Sequence, residues 1–88
     1  MIQKSYKIVT NEGLHARPSS QLVAAVTPFA ADVKLIYKDK EVNLKSIMGV
    51  MALGIAVGAE ITIVADGTDE AAVMAKVDEV ITTEGIGQ

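Results

Sequence analysis

Apolar and polar side chains alternate in four short stretches of the chain, and this pattern predicts four β-strands. The stretches are residues 2–9, 32–38, 41–44 and 59–65. Alternation with a period of two places successive side chains on opposite faces of a strand, so each predicted strand has one apolar face. Strands of this kind are typical of an antiparallel sheet that is covered on one side only.

Three other stretches repeat their apolar positions at helical spacing and predict helices. They are residues 16–26, 47–53 and 70–85. Pro18 suits the first turn of the first helix, because the N–H groups there have no partner within the helix and proline has none. Pro28 ends the same helix. Ser46 is the expected N-cap of the second helix.

The order of these elements, β-α-β-β-α-β-α, predicts an α+β fold. We expect an open-faced two-layer sandwich, in which four antiparallel strands are covered on one face by three helices. A tight turn at Asp39 and Lys40 joins the second and third strands. The chain has 88 residues without a linker or an internal repeat, so we expect residues 1–88 to form a single domain.

The composition narrows the possible functions. Half of the residues are hydrophobic but only three are aromatic, which predicts an aliphatic core. Eight basic and eleven acidic residues give a net charge of −3, and this balance argues against direct binding of nucleic acid. The chain has no cysteine and no apolar run long enough to span a membrane. We expect its first ten residues, MIQKSYKIVT, to form a strand and not a signal peptide, because they lack a long apolar core. We therefore expect a cytoplasmic protein, and no feature of the sequence calls for a cofactor.

The only histidine, His15, directly precedes the first predicted helix, in the segment GLHARPSS (13–20). As the N-cap it would hold its ring over the N–H groups of Ala16, Arg17 and Ser19. Helix N-termini attract anions, and the Arg17 guanidinium can bind a phosphate with two N–H groups. A neutral imidazole can attack phosphorus and form a covalent phosphoramidate. The segment therefore predicts an anion site that contains a nucleophilic nitrogen, although a histidine here could also be a simple surface or capping residue.

Other chemistries fit the sequence less well. One histidine without cysteine is a poor start for a metal site, and we expect none. Neither a nucleophile elbow nor a phosphate-binding GxxxxGK[ST] loop is present. The remaining interpretation is a carrier that accepts and donates a phosphoryl group, and a carrier needs a surface for its partners.

The second predicted helix offers such a surface. Val50 can face the sheet, whereas Ile47, Met48 and Met51 point elsewhere on the helix. A helix of two turns cannot bury every face in so small a domain, and exposed methionines are typical of docking sites. The alternatives are that all three side chains belong to the core and that Ser46 is only a helix cap.

Together, the segments GLHARPSS (13–20) and NLKSIMGVM (43–51) resemble the HPr family, the histidine-containing phosphocarriers of the phosphoenolpyruvate-dependent sugar phosphotransferase system. The resemblance covers the whole chain and is to the Gram-positive type. It implies that His15 accepts a phosphoryl group on Nδ1 from phospho-enzyme I and donates it to the IIA domains of sugar permeases. It also implies that Ala16 and Arg17 bind the phosphate, and that Arg17 assists the transfer.

The same resemblance implies regulation at Ser46. This serine would be phosphorylated with ATP by a bifunctional HPr kinase/phosphorylase, and the product would act as corepressor of a catabolite-control transcription factor. The docking surface for partners would comprise Ile47, Met48, Met51 and Ser20. A shuttle of this kind is expected to be a monomer, and a related homologue that lacks the histidine is excluded by His15.

Some positions depart from the usual pattern of the family. Residues 19–20 are Ser-Ser where Ala-Thr is frequent, and Glu12 and Pro28 are also unusual. Glu12 matters most, because a carboxylate near a phosphohistidine would repel it unless the side chain turned away. Two alternatives remain open: a nitrogen-related or other specialised paralogue with different partners, and an adaptor that binds partners through Met48 and Met51 without being phosphorylated.

Overall fold

Four strands and three helices follow one another in the predicted order. The computed structural model describes residues 1–88, and its elements are β1 (Ile2–Lys7), α1 (Ala16–Val26), β2 (Asp32–Tyr37), β3 (Lys40–Asn43), α2 (Ile47–Met51), β4 (Glu60–Asp66) and α3 (Glu70–Thr83). None of the helices has the length and apolar character needed to cross a bilayer.

The strands form one antiparallel sheet in the order β1-β4-β2-β3. The last strand of the chain therefore lies inside the sheet, between β1 and β2. Tyr6 pairs with Ile61 and Leu35 pairs with Ile63, so the apolar faces of three strands are in register. This arrangement confirms the predicted four-stranded antiparallel sheet.

The core is aliphatic and lies between the sheet and the helices. Ile61, Ile63 and Ala65 of β4 are buried on this side. The helices cover the same face with almost fully buried side chains: Leu22 and Val26 from α1, Val50 from α2, and Val73, Val77 and Ile81 from α3. The opposite face carries Lys34 and Glu41, whose charged groups are 3.3 Å apart and exposed. The predicted open-faced sandwich is thus confirmed.

The hairpin between β2 and β3 differs from the sequence prediction. Its two-residue turn consists of Lys38 and Asp39, and not of Asp39 and Lys40, because Lys40 already pairs with Tyr37 as part of β3. Lys38 has a φ of 57°, the left-handed conformation that two-residue hairpin turns require. The sequence of this hairpin contains no glycine that would have marked the position of the turn.

Besides β2, which ends at Tyr37 and not at residue 38, three predicted elements are shorter in the structure. β1 ends at Lys7, and Ile8 makes only an isolated bridge to Gly87. α2 ends at Met51, because the chain then tightens into a turn in which the Leu53 N–H donates to the Val50 carbonyl. α3 ends at Thr83, two residues before the predicted end.

Asp78 links α3 to the edge strand β1. Its Oδ1 atom accepts hydrogen bonds from the Lys4 ammonium and from the buried Tyr6 hydroxyl, the latter over 3.1 Å. The hydrogen bonds from Lys4 and Tyr6 lower the pKa of the Asp78 carboxyl below its ordinary value of 3.8. Burial, followed by the nearby Asp78 carboxylate, raises the pKa of Tyr6.

We expect Asp78→Ala to lower the melting temperature at neutral pH, because the Tyr6 hydroxyl loses its partner. The folded-state pKa of Asp78 is lowered, so its contribution to stability is present above about pH 3.8 and is lost as the pH falls through the folded-state pKa. The difference in melting temperature from the wild type should therefore narrow in acid. Glu79→Ala on the same helix is the control, since Glu79 pairs only with Lys76. A difference that does not depend on pH would contradict this account.

Candidate functional site

His15 is the N-cap of α1, as its position before the helix predicts. Its backbone is extended, with φ −85° and ψ −158°, and its Nδ1 atom accepts a hydrogen bond from the Arg17 N–H over 3.4 Å. The sequence also predicts that the Ser19 N–H lies under the ring. This N–H instead donates to the His15 carbonyl within the helix over 3.1 Å. The His15 side chain is 37% exposed, so a second molecule can reach it.

The backbone before His15 is held in place from two sides. The Leu14 N–H donates to the Ile55 carbonyl over 2.9 Å, and the Ser19 hydroxyl donates to the Leu14 carbonyl over 3.0 Å. Gly13 has a φ of 71°, and a Cβ at this position would lie 2.4 Å from the Ile55 oxygen. Only glycine therefore permits this close approach of the loop to the chain before β4.

Ala16 and Arg17 form the exposed first turn of α1 beside His15. The Arg17 guanidinium donates no hydrogen bond to a protein group and forms no ion pair with a carboxylate of the chain. Its five N–H donors face solvent, where they can bind an anion. The site thus combines an accessible imidazole with a free cation on the following turn.

Glu12 lies beside the edge of the imidazole ring that carries Nε2, away from the Arg17 N–H at Nδ1. Its Oε2 atom is 3.5 Å from His15 Nε2, the nitrogen across the ring from Nδ1. The Glu12 carboxylate therefore does not turn away from His15, although the sequence predicts that a phosphohistidine would be repelled unless it did. Instead it approaches the ring edge that is opposite to the helix N-terminus.

His15 lies between two shallow surface depressions. The first is lined by Thr10, Glu12, His15, Arg17, Pro18, Gln21, Glu84 and Ile86. In it, the Gln21 amide donates to Glu84 Oε1 over 3.0 Å. Sequence reasoning missed both residues. Gln21 could have been found, because it follows Arg17 by one helical turn, whereas Glu84 comes from the end of α3 and reaches the site only through tertiary packing.

The second depression joins His15 to α2. Met51 lines it together with Glu12, Leu14, His15, Gly54, Ile55 and Ala56. Three side chains of α2 that were expected to point away from the core are exposed: Ile47 by 41%, Met48 by 82% and Met51 by 43%. Val50 is fully buried on the other side of the helix. Ser20 is exposed on α1 but lines neither depression.

Ser46 occupies the N-cap of α2, where its hydroxyl accepts a hydrogen bond from the Gly49 N–H over 3.1 Å. The serine is half-buried and lies next to Ile47 and Met48. It does not line either depression beside His15. The His15 imidazole and the Ser46 hydroxyl, the two groups that the sequence singles out, therefore lie at the N-termini of two different helices.

Comparison with known proteins identifies the class of this fold and site. A family model described as the phosphorylation site of the HPr component of the phosphotransferase system matches residues 2–83. The class is that of the small phosphocarriers, which hold a phosphoryl group between one protein and the next. The chain belongs to the HPr family and is a phosphocarrier of the phosphotransferase system.

Solved structures agree with this assignment. A histidine-containing phosphocarrier protein from Mycoplasma is 38% identical, with a TM-score of 0.96 and 99% of each chain covered. HPr from Bacillus anthracis is 35% identical, with a TM-score of 0.82, and the match covers 90% of this chain and 94% of that one. The catabolite repression protein Crh of Bacillus subtilis, an intertwined dimer, is 37% identical, with a TM-score of 0.73 over 96% of this chain and 97% of its own.

We expect Gly13→Ala to destabilise the protein and to displace His15, because the loop must move away from the Ile55 carbonyl and take His15 with it. Gly58→Ala is the matched control: Gly58 also has a positive φ, 87°, but open space surrounds it. The control should cost about 1–2 kcal/mol from the left-handed backbone alone. Urea unfolding should show a larger loss for Gly13→Ala, and equal losses would mean that the contact with Ile55 can relax.

Proposed function

We propose that His15 is the phosphoryl acceptor, that it receives the group on Nδ1 from phospho-enzyme I, and that it donates the group to IIA domains of sugar permeases. The observation that carries this proposal is the position of Nδ1 at the N-terminus of α1, within 3.4 Å of the Arg17 N–H. This hydrogen bond is long and therefore weak, so an incoming phosphorus atom can replace it. The released N–H can then donate to an oxygen of the phosphoryl group.

The charges around Nδ1 support this role. A phosphoryl group on the ring carries negative charge, which the exposed N–H groups at Ala16 and Arg17 and the helix dipole stabilise. The Arg17 guanidinium is free of protein partners and can bind two phosphoryl oxygens at once. Because these donors are in place before the reaction, they stabilise charge that develops during transfer.

The exposed α2 side chains Ile47, Met48 and Met51 form the proposed docking surface, with Ser20 on the neighbouring helix. Met51 lines the same depression as His15, so a partner that covers this apolar surface also reaches the imidazole. Methionine side chains adapt to different shapes, which suits a carrier with several partners. The protein would act as a monomer in the cytoplasm, exchanging enzyme I for a IIA domain.

Phosphorylation of Ser46 by an ATP-dependent HPr kinase/phosphorylase is the proposed regulation. A phosphate adds about −1.5 to −2 charges next to the docking surface. Partners that offer acidic groups would be repelled, and partners that offer apolar groups would bind less well because the phosphate would lose its water. A catabolite-control transcription factor that offers basic groups would bind better. The likeness to Crh, which is described as a catabolite repression protein, supports this part of the proposal.

We expect His15→Ala to abolish labelling by phosphoenolpyruvate and enzyme I, read as a mass increase of the intact protein. The fold should persist, with a free energy of unfolding within about 0.5 kcal/mol of the wild type, because the side chain is exposed and its capping bond is weak. Omission of enzyme I from the wild-type reaction is the control. Labelling that survives in the variant would mean that another residue is the acceptor, and an unlabelled wild type would favour the adaptor alternative.

Phosphorylation of Ser46 should slow phosphorylation of His15 by enzyme I while leaving the melting temperature unchanged or slightly raised. The negative charge interacts favourably with the N–H groups of the cap but lies beside the docking surface. Ser46→Asp should reproduce part of the block, and salt should relieve it. A marked fall in melting temperature would show that the phosphate unfolds α2, and an unchanged rate would leave Ser46 as a helix cap.

A further inference from the structure

The carboxylate of Glu12 contacts the reactive histidine on the side that the proposed transfer leaves untouched. Its Oε2 atom is 3.5 Å from Nε2, whereas Nδ1 accepts the Arg17 N–H. An atom that accepts a hydrogen bond must have a free lone pair, so the neutral ring carries its proton on Nε2, beside Glu12. The two contacts thus favour the same tautomer, the one in which Nδ1 is the nucleophile.

We infer that Glu12 is a positioning residue for His15: it orients the ring through the Nε2–H group and stabilises the positive charge that the ring acquires when Nδ1 is phosphorylated. This inference rests on His15 being the phosphoryl acceptor. It assigns a favourable role to a carboxylate whose charge would otherwise be expected to hinder the reaction.

The electron pairs and protons of the transfer step explain why a negative charge beside Nε2 affects it. The Nδ1 lone pair forms the bond to phosphorus, and the donor leaves with the electron pair of the bond that breaks. No proton leaves Nε2, so the neutral imidazole becomes a phosphorylated imidazolium ring. Donation to the next acceptor reverses this change and returns the ring to neutrality. A carboxylate beside Nε2–H stabilises the charged intermediate, as a carboxylate does for the imidazolium of other histidine-carboxylate pairs.

The position of Glu12 separates it from the transferred group. Because Nδ1 and Nε2 lie on different edges of the ring, the phosphoryl group and the Glu12 carboxylate would approach the imidazole from different sides. The Arg17 backbone N–H, which donates to Nδ1, lies on the phosphoryl side, and the Arg17 side chain lines the depression beside His15. Glu84, which follows α3, lines the depression that contains Glu12, His15 and Arg17, but its carboxylate accepts a hydrogen bond from the Gln21 amide over 3.0 Å. Arg17 and Glu84 are thus the other charged groups that face the site, and Glu12 is the one that contacts the ring.

The test compares Glu12→Gln with Glu12→Asp and with the control Glu41→Gln. Glu41 loses the same charge on the open face of the sheet, where it pairs with Lys34. We expect Glu12→Gln to lower kcat for phosphorylation by enzyme I about two- to fivefold, the range for an exposed ion pair, with KM unchanged. Glu12→Asp should recover part of the rate, and Glu41→Gln should equal the wild type. An equal or faster rate in Glu12→Gln would overturn the inference, as would a change confined to KM.

A second measurement does not depend on phosphoryl transfer. The ¹⁵N resonances of His15 in the unphosphorylated wild type should show a protonated Nε2 and an unprotonated Nδ1. They should shift in Glu12→Gln and remain unchanged in Glu41→Gln. Identical His15 spectra in the wild type and Glu12→Gln would overturn the contact itself. If the wild type were not phosphorylated at all, the proposed function would fail, and the resonances would still decide whether Glu12 holds the ring.

Discussion

Burial of a single face of the sheet is the constraint on which the rest of the structure depends. Ile61, Ile63 and Ala65 of β4, an inner strand of the sheet, project from one face and are almost fully buried there. All three helices therefore pack on that side. Their ends meet there too, so that the start of α1, the end of α2 and the end of α3 contribute to one region of the surface.

The His15 imidazole in this region is held by the backbone and lies between shallow depressions. The hydrogen bond between the Leu14 N–H and the Ile55 carbonyl fixes the loop before α1, and His15 follows as the helix cap. A site of this kind leaves one side of the imidazole open to solvent. This openness lets a second protein reach the imidazole, as the proposed phosphoryl transfer requires.

Charges of both signs surround the imidazole, but they lie in different directions. The helix N-terminus, with the Arg17 backbone N–H, is on the Nδ1 side, whereas the Glu12 carboxylate is on the Nε2 side. Such an arrangement can favour negative charge on one edge of the ring and positive charge on the other. The exposed methionines of α2 add an apolar surface next to this polar site, and Met51 lies close enough to share a depression with His15.

The sequence by itself determined the order of the elements, the one-sided sheet and the helix start that carries His15, because each depends on local periodicity or on the chemistry of a few neighbouring residues. It also indicated the exposure of Ile47, Met48 and Met51, since a short helix has only one buried face. Tertiary structure alone decided the strand order and the turn at Lys38 and Asp39, which depend on pairing between distant segments. The same holds for the site: Glu84 arrives through packing of α3, and the approach of Glu12 to Nε2 depends on the path that Gly13 takes past Ile55. Distances between residues that are remote in the chain, or on either side of a tight turn, are set by the packed core, and no local pattern of residues contains them.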